Sequence, residues 1–325
     1  MRFQVTHHTA YDYESEVSSS YGEAHLLPRE LPGQRVLGAE LLITPEPAER
    51  VDRADYFGNR VTHFVLQEGH RDLTVTATST VEVRGRVAAG QHPSEQLLVA
   101  QPWEAVRDLL RDAAFATSRT GLHGVADFLL DSPQAMTTAA AAAYAWPSFE
   151  PGRPILDAVA EFSSRIHADF EFNAGATTVG TPVDEVLARR AGVCQDFAHL
   201  TIAGLRAMGL AARYVSGYLE TDPPPGQPKL QGADVSHAWV SVYVPQIGWV
   251  DVDPTNDQFV TDRYITTAWG RDYGDVAPLK GVIFTEGETT SLEVSVDVRR
   301  VGGGSPLQQP VGTVGPGPAV QGAQQ

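Results

Sequence analysis

The chain of 325 residues holds one cysteine, Cys194, inside the stretch AGVCQDFAHL. It follows Gly192 at what reads as the start of a helix, CQDFAHLTIAGLRAMGL. Cys194, Phe197, Thr201, Leu205 and Met208 recur three or four residues apart, so they share one face. A helix N-terminus offers free amide hydrogens and a partial positive charge, which favours a thiolate and can also hold an oxyanion. Asp196, two residues on, works the other way, because a nearby carboxylate opposes thiol ionisation. Free cysteine is also among the most buried residue types. The helix alone therefore leaves packing and nucleophilic catalysis both open.

A thiol nucleophile needs a base, and the base needs an orienting partner. Ten histidines are present, so position must select among them. In SHAWVSVYV the strand period places His237, Trp239, Ser241 and Tyr243 on one face and Ala238, Val240, Val242 and Val244 on a core face. In GWVDVDPTN, Trp249, Asp251 and Asp253 share a face. A hairpin centred on Pro245 predicts His237 directly opposite Asp253, within reach of an imidazole–carboxylate hydrogen bond. Asp251 then falls opposite Trp239 and is second choice. Pro254 ends the strand. His199 lies about 140° round the helix from Cys194 and reads as structural.

These residues need elements to hold them. Residues 1 to about 86 are β-branched, aromatic and partly alternating, which predicts a small N-terminal β-sandwich, with Gly58-Asn59 in a hairpin. From about 102 to 210 the period is helical. Thr181 and Pro182 suit the start of the short helix TPVDEVLARRAG, and Gly192 its stop. After Gly209 strands return. Helices followed by an antiparallel sheet predict an α+β domain. The expected division is 1–90, 91–301 and a disordered tail over 302–325. The Pro/Gly-rich stretch 221–235 reads as a loop. Formal net charge is −16, which argues against nucleic acid as the main partner. No apolar run approaches the roughly 20 residues of a membrane span, and no signal core opens the chain. A single cysteine cannot form an internal disulfide. A cytoplasmic protein is the expectation. No H-E-x-x-H and no second cysteine argue against a zinc enzyme.

Together the motifs RRAGVCQDFAHLTIAGLRAMGLAARYVSGYL and SHAWVSVYVPQIGWVDVDPTNDQ resemble the transglutaminase-like superfamily, with its G-x-C, H-x-W and D-P-T pattern. The first 80 or so residues look like the β domain of its bacterial branch. The resemblance implies a papain-like α+β core and acyl transfer through a thioester, with no metal or cofactor. It implies Cys194 as nucleophile, His237 as base and Asp253 as orienting carboxylate. Trp239, beside the base, is expected either to wall the site and touch substrate or to be a half-buried sheet aromatic. The implied partner is a peptide or protein substrate, hydrolysed or joined to an amine. Related eukaryotic enzymes complete the oxyanion hole with an upstream aromatic. Phe170, Phe172 and Gln195 are the nearby candidates, though phenylalanine has no hydrogen to donate. A catalytically silent peptide-binding module using the same cleft is the alternative. The five tail glutamines, Gln308, Gln309, Gln321, Gln324 and Gln325, read as part of a polar tail.

Overall fold

The computed structural model describes residues 1–84, 101–115, 123–222, 234–287 and 290–301. The tail, the expected boundary near residue 90 and most of the 221–235 stretch lie outside these residues. Strands β1 (Arg2–Ala24), β2 (Gln34–Thr44), β3 (Glu49–Ala54), β4 (Arg60–Leu66) and β5 (His70–Val83) follow one another at the start. Helices α1 (Trp103–Phe115), α2 (His123–Ala126), α3 (Ala139–Ala145) and α4 (Ile155–Asp169) come next. Then come β6 (Glu171–Phe172), α5 (Val183–Arg189), β7 (Ala191–Gly192) and α6 (Cys194–Ala207). The chain continues through β8 (Ala212–Leu219), β9 (Val235–Val244), β10 (Gly248–Asp253), β11 (Gln258–Phe259) and β12 (Tyr264–Gly270). It closes with α7 (Tyr273–Val276), β13 (Leu279–Thr285) and β14 (Thr290–Arg300).

β1 is the spine of a seven-stranded sheet. Its residues 3–12 lie between β5 and β14, and its residues 20–24 lie between β4 and β13. The pairings with β5 and β13 slip between Asp12 and Ser19, and there β1 passes from one pair of partners to the other. The core of this sheet draws on both halves: Tyr13, Val17, Leu41, Ile43, Phe64, Leu66, Leu73 and Val75. The alternation of buried and exposed residues along β1 and β5 is what a sheet with one dry face requires. Gly58, at φ +74°, turns β3 into β4 as the Gly-Asn pair predicts.

The second sheet has five strands in the order β11-β10-β9-β8-β12. Helices cover one face. The largest core runs from Trp103 and Phe149 through Phe162 and Leu200 to Val240 and Val252. α6 sits at its centre and is buried all round from Asp196 to Arg206, not along a single stripe. A third cluster, Phe3, Val5, Val81, Val83, Tyr218, Ile265, Val296 and Val298, joins the two sheets.

Two expectations change. The segment 91–301 is not one unit, because β13 and β14 pair with β1 and belong to the first sheet. Strand pairing over such a distance leaves no local trace in sequence. α5 is capped by Pro182 in extended conformation, and Arg190, left-handed at φ 54°, ends it in place of Gly192.

Candidate active site

Cys194 is the first residue of α6 and is partly exposed. Its amide stands outside the helix's own hydrogen-bond ladder, as every first-turn amide does. Asp196 ties down the entry. Its Oδ2 accepts the Val193 amide at 2.8 Å and the Thr177 hydroxyl at 2.6 Å. Burial pushes the Asp196 carboxyl above its usual range, against the pull of those two donors. Gly192 is required here, since a Cβ would run into the Asp196 carboxylate. The Gly192 carbonyl accepts from the Asn173 amide at 2.8 Å, and the parallel pair β6–β7 thus fixes the approach to the nucleophile.

His237 and Asp253 meet as expected, by a different register. β9 pairs with β10 so that Val244 opposes Gly248 and Ser241 opposes Asp251. A three-residue loop, Pro245 to Ile247, with Gln246 left-handed at φ 70°, replaces the hairpin centred on Pro245. The shift is two residues. Side-chain period is also two, so every residue keeps its face. His237 and Asp253 become diagonal neighbours, and the imidazole Nε2 reaches Asp253 Oδ2 at 2.6 Å. Asp251 instead accepts the Ser241 hydroxyl.

Asp253 is fully buried and held by more than the histidine. Its Oδ2 also accepts Asn256 Nδ2 at 2.6 Å and the Tyr264 hydroxyl at 2.7 Å. Its Oδ1 accepts the Thr255 amide at 2.9 Å and the Asn256 amide at 3.3 Å. Gln258 Nε2 donates to the Tyr264 oxygen at 2.7 Å. Burial resists ionisation of Asp253, but the His237 charge and these donors hold its carboxyl below the usual range. Burial likewise resists charge on His237. The Asp253 charge and hydrogen bond outweigh it, with a hydrogen bond and charge from Cys194 adding to them, and the imidazole is pushed up to about 10. Cys194 and His237 are therefore side-chain neighbours. The Nε2 proton goes to Asp253, which leaves Nδ1 for the thiol. Asn256 and Tyr264 were missed from sequence. The Asp-Pro-Thr-Asn turn was a usable signal for the first, and nothing local pointed to the second.

Trp239 does not wall an open site. It is 0 % exposed and packs edge-on to Tyr264 at 5.3 Å between ring centroids, with His237 at 6.2 Å. The face given to His237 is covered because Val215, Val260 and Tyr264 close over it. Gly217 permits this, since a Cβ there would overlap the Ile265 carbonyl and the Trp239 ring. Phe170 is buried against Phe197. Phe172 is 59 % exposed and paired with Gly192. Gln195 Nε2 is spent on the Val179 carbonyl at 3.0 Å. His199 is buried and its Nε2 accepts the Tyr273 amide at 3.1 Å, a structural role. Among the described residues no group of three or more His, Cys, Asp or Glu could hold a metal ion. No described helix is long and apolar enough to cross a membrane.

Residues 3–82 match the bacterial transglutaminase-like N-terminal region, and residues 143–254 match the transglutaminase-like superfamily core. An uncharacterised protein of Mycobacterium tuberculosis is 46% identical over 301 residues, covering 91% of this chain and 92% of its own. The chain belongs to the transglutaminase-like superfamily. A protein-glutamine gamma-glutamyltransferase of Pseudomonas aeruginosa is 36% identical over 92 residues, 27% of this chain and 14% of that one. Among solved structures, a candidate cysteine protease from Cytophaga hutchinsonii superposes with a TM-score of 0.68 at 21% identity, over 91% of this chain and 90% of that one. The fold is thus the α+β, papain-like transglutaminase core behind an N-terminal β unit, a general cysteine-dependent enzyme fold.

Proposed function

We propose that the protein is a cysteine-dependent acyl-transfer enzyme acting on peptide, isopeptide or glutamine carboxamide bonds. Cys194 sulfur attacks the carbonyl carbon, and the amide C–N bond breaks as the thioester forms. The proton held by His237 passes to the departing ammonia or amine. Water or a second amine then releases the acyl group and returns a proton to His237. The Cys194 and Gln195 amides, at the open end of α6, are placed to hold the oxyanion. Asp253 fixes the imidazole and stabilises its charge. No metal or cofactor enters this scheme, and the setting we propose is the cytoplasm.

One observation carries the reading: a buried imidazole, 2.6 Å from a buried carboxylate, with the only cysteine as its other neighbour. The partial match to a protein-glutamine gamma-glutamyltransferase supports the substrate class. A silent binding module has no use for a carboxylate buried so as to sustain a cation.

The test is the rate of iodoacetamide alkylation against pH, read by intact mass, for the wild type and His237→Ala. An ordinary thiol titrates near about 8.5. Reaction well below that pH in the wild type, lost in His237→Ala, is expected. Reaction only at alkaline pH in both proteins removes the mechanism. Amine-incorporation and peptide-release assays then separate transfer from hydrolysis.

A further inference from the structure

β12 is an edge strand of the second sheet, and a bare edge presents unpaired amides and carbonyls. Among the described residues no strand pairs with its free edge, which the Arg29 amide meets at the Thr266 carbonyl at 3.4 Å. Two amide side chains of the first unit cover it. Gln34 Nε2 donates to the Thr266 carbonyl at 2.8 Å, and its Oε1 accepts the Thr266 amide at 2.8 Å. Asn59 Nδ2 donates to the Trp269 carbonyl at 2.8 Å, and its Oδ1 accepts the Trp269 amide at 2.9 Å. A primary amide carries a donor and an acceptor side by side, as a peptide unit does. Each side chain therefore stands in for one residue of a neighbouring antiparallel strand.

The spacing of the clamps follows from a bulge. The pairing of β12 with β8 slips between Thr266 and Ala268, and the Thr267 hydroxyl turns back to the Ser216 carbonyl at 3.0 Å. In a regular strand the outward positions would be two apart; the extra residue makes them three apart, at 266 and 269. The clamps are themselves fixed. Gln34 and Asn59 are buried, Gln34 Nε2 also reaches the Arg29 carbonyl at 2.8 Å, and the Arg29 guanidinium donates to Asn59 Oδ1. Arg29 also lies over the Trp269 ring at 3.3 Å.

β12 begins with Tyr264, two residues before the first clamp, and the Tyr264 hydroxyl is bonded to Asp253 Oδ2 at 2.7 Å. The link runs from Gln34 to Thr266, along the β12 backbone to Tyr264, and by hydrogen bonds to Asp253 and His237. We propose that Gln34, with Asn59, is a positioning residue for the His237–Asp253 pair: the first unit acts as a surrogate edge strand that sets where Tyr264 holds the carboxylate. This rests on the thiol–imidazole reading above. It gives the N-terminal unit a part in tuning the site without any contact with substrate.

The experiment uses the full chain and the pH midpoint of Cys194 alkylation, with melting temperature recorded alongside. The proteins are wild type, Gln34→Met, Tyr264→Phe, the double variant and His237→Ala. We expect Gln34→Met to move the midpoint in the same direction as Tyr264→Phe, by about half a pH unit, the scale of a weakened hydrogen bond to a charged group. The double variant should match Tyr264→Phe alone, since both act on one link. A lower melting temperature with the wild-type midpoint retained overturns the proposal and leaves Gln34 purely structural. Additive shifts in the double variant overturn the route through Tyr264. Where Gln34→Met yields no folded protein, Asn59→Ala removes the second clamp in its place and is read the same way. A wild type with no low-pH reactivity sinks the parent reading instead, and is told apart because His237→Ala then changes nothing.

Discussion

Two histidines are buried close to the single cysteine, one held neutral and the other held as a cation. His199 is 2 % exposed and His237 is 6 % exposed. Burial drives His199 down to about 4, despite the nearby Asp272 charge, while His237 is raised to about 10. Each has a carboxylate at hand, so the presence of a carboxylate decides nothing. What differs is how its oxygens are spent. Asp272 gives Oδ1 to the Gly274 amide and Oδ2 to the Gln134 amide, both at 2.9 Å. Asp253 Oδ2, although shared with Asn256 and Tyr264, also meets the His237 ring at 2.6 Å. On the imidazole side, His199 Nε2 must stay unprotonated to accept the Tyr273 amide, whereas His237 Nε2 must carry a proton to meet a carboxylate. Hydrogen-bond polarity, more than depth, sorts a structural histidine from a candidate base.

The largest test of that contrast is removal of each ring. His237→Ala should lower Cys194-dependent turnover by about 10³-fold, as loss of a general base does. His199→Phe, similar in shape, should stay within about threefold of wild type in amine incorporation or peptide release. Comparable losses in both would erase the distinction. Next, Asp253→Asn keeps the shape but removes the charge, and should cost about 10²- to 10⁴-fold, with kcat more affected than KM. An unchanged kcat would show that the carboxylate only packs.

Protonation sharpens the comparison further. The raised His237 stabilises the fold fully below its unfolded value of 6.5, and that stabilisation is lost as pH rises through about 10. The melting-temperature gap between wild type and His237→Gln should therefore shrink from pH 6 to pH 10. The depressed His199 acts in the reverse sense: its contribution is present above 6.5 and lost as pH falls through about 4. Imidazole proton signals followed by NMR should show His237 titrating near pH 10 and His199 near pH 4. Titration of both near the ordinary value would refute both environments. The smallest effect is thermal. His199→Phe leaves the Tyr273 amide unpaired, at about 1–3 kcal/mol. That should lower the melting temperature by a few degrees, roughly 2–6 °C.

Cys194, His237 and Asp253 were legible because each is marked by short-range pattern: a helix start, and two strands with period two. The register was not. The hairpin is centred on Gln246, which is left-handed, and not on Pro245; moving the centre by one residue moves the pairing by two and leaves the faces intact. Trp239 was misjudged because a strand pattern shows which residues share a face, but not what lies on top of it. Tyr264, Gln34 and Asn59 were invisible for the same reason: their contacts join segments brought together only by the folded chain. The N-terminal sheet was half legible. Its strands showed in composition, while the membership of β13 and β14 depended on partners at the other end of the sequence.

That last pairing has a consequence for how the protein is made. Phe3 lies beside Arg300, and Ala24 beside Leu279. A ribosome delivers β1 long before its partners β13 and β14. The first sheet therefore cannot be completed as it emerges, and one long edge of β1 stays bare until β13 and β14 have been synthesised. Chains usually fold domain by domain as they appear. Here β1 emerges well before the strands that complete its sheet, which makes it a segment of the nascent chain in need of a chaperone's cover.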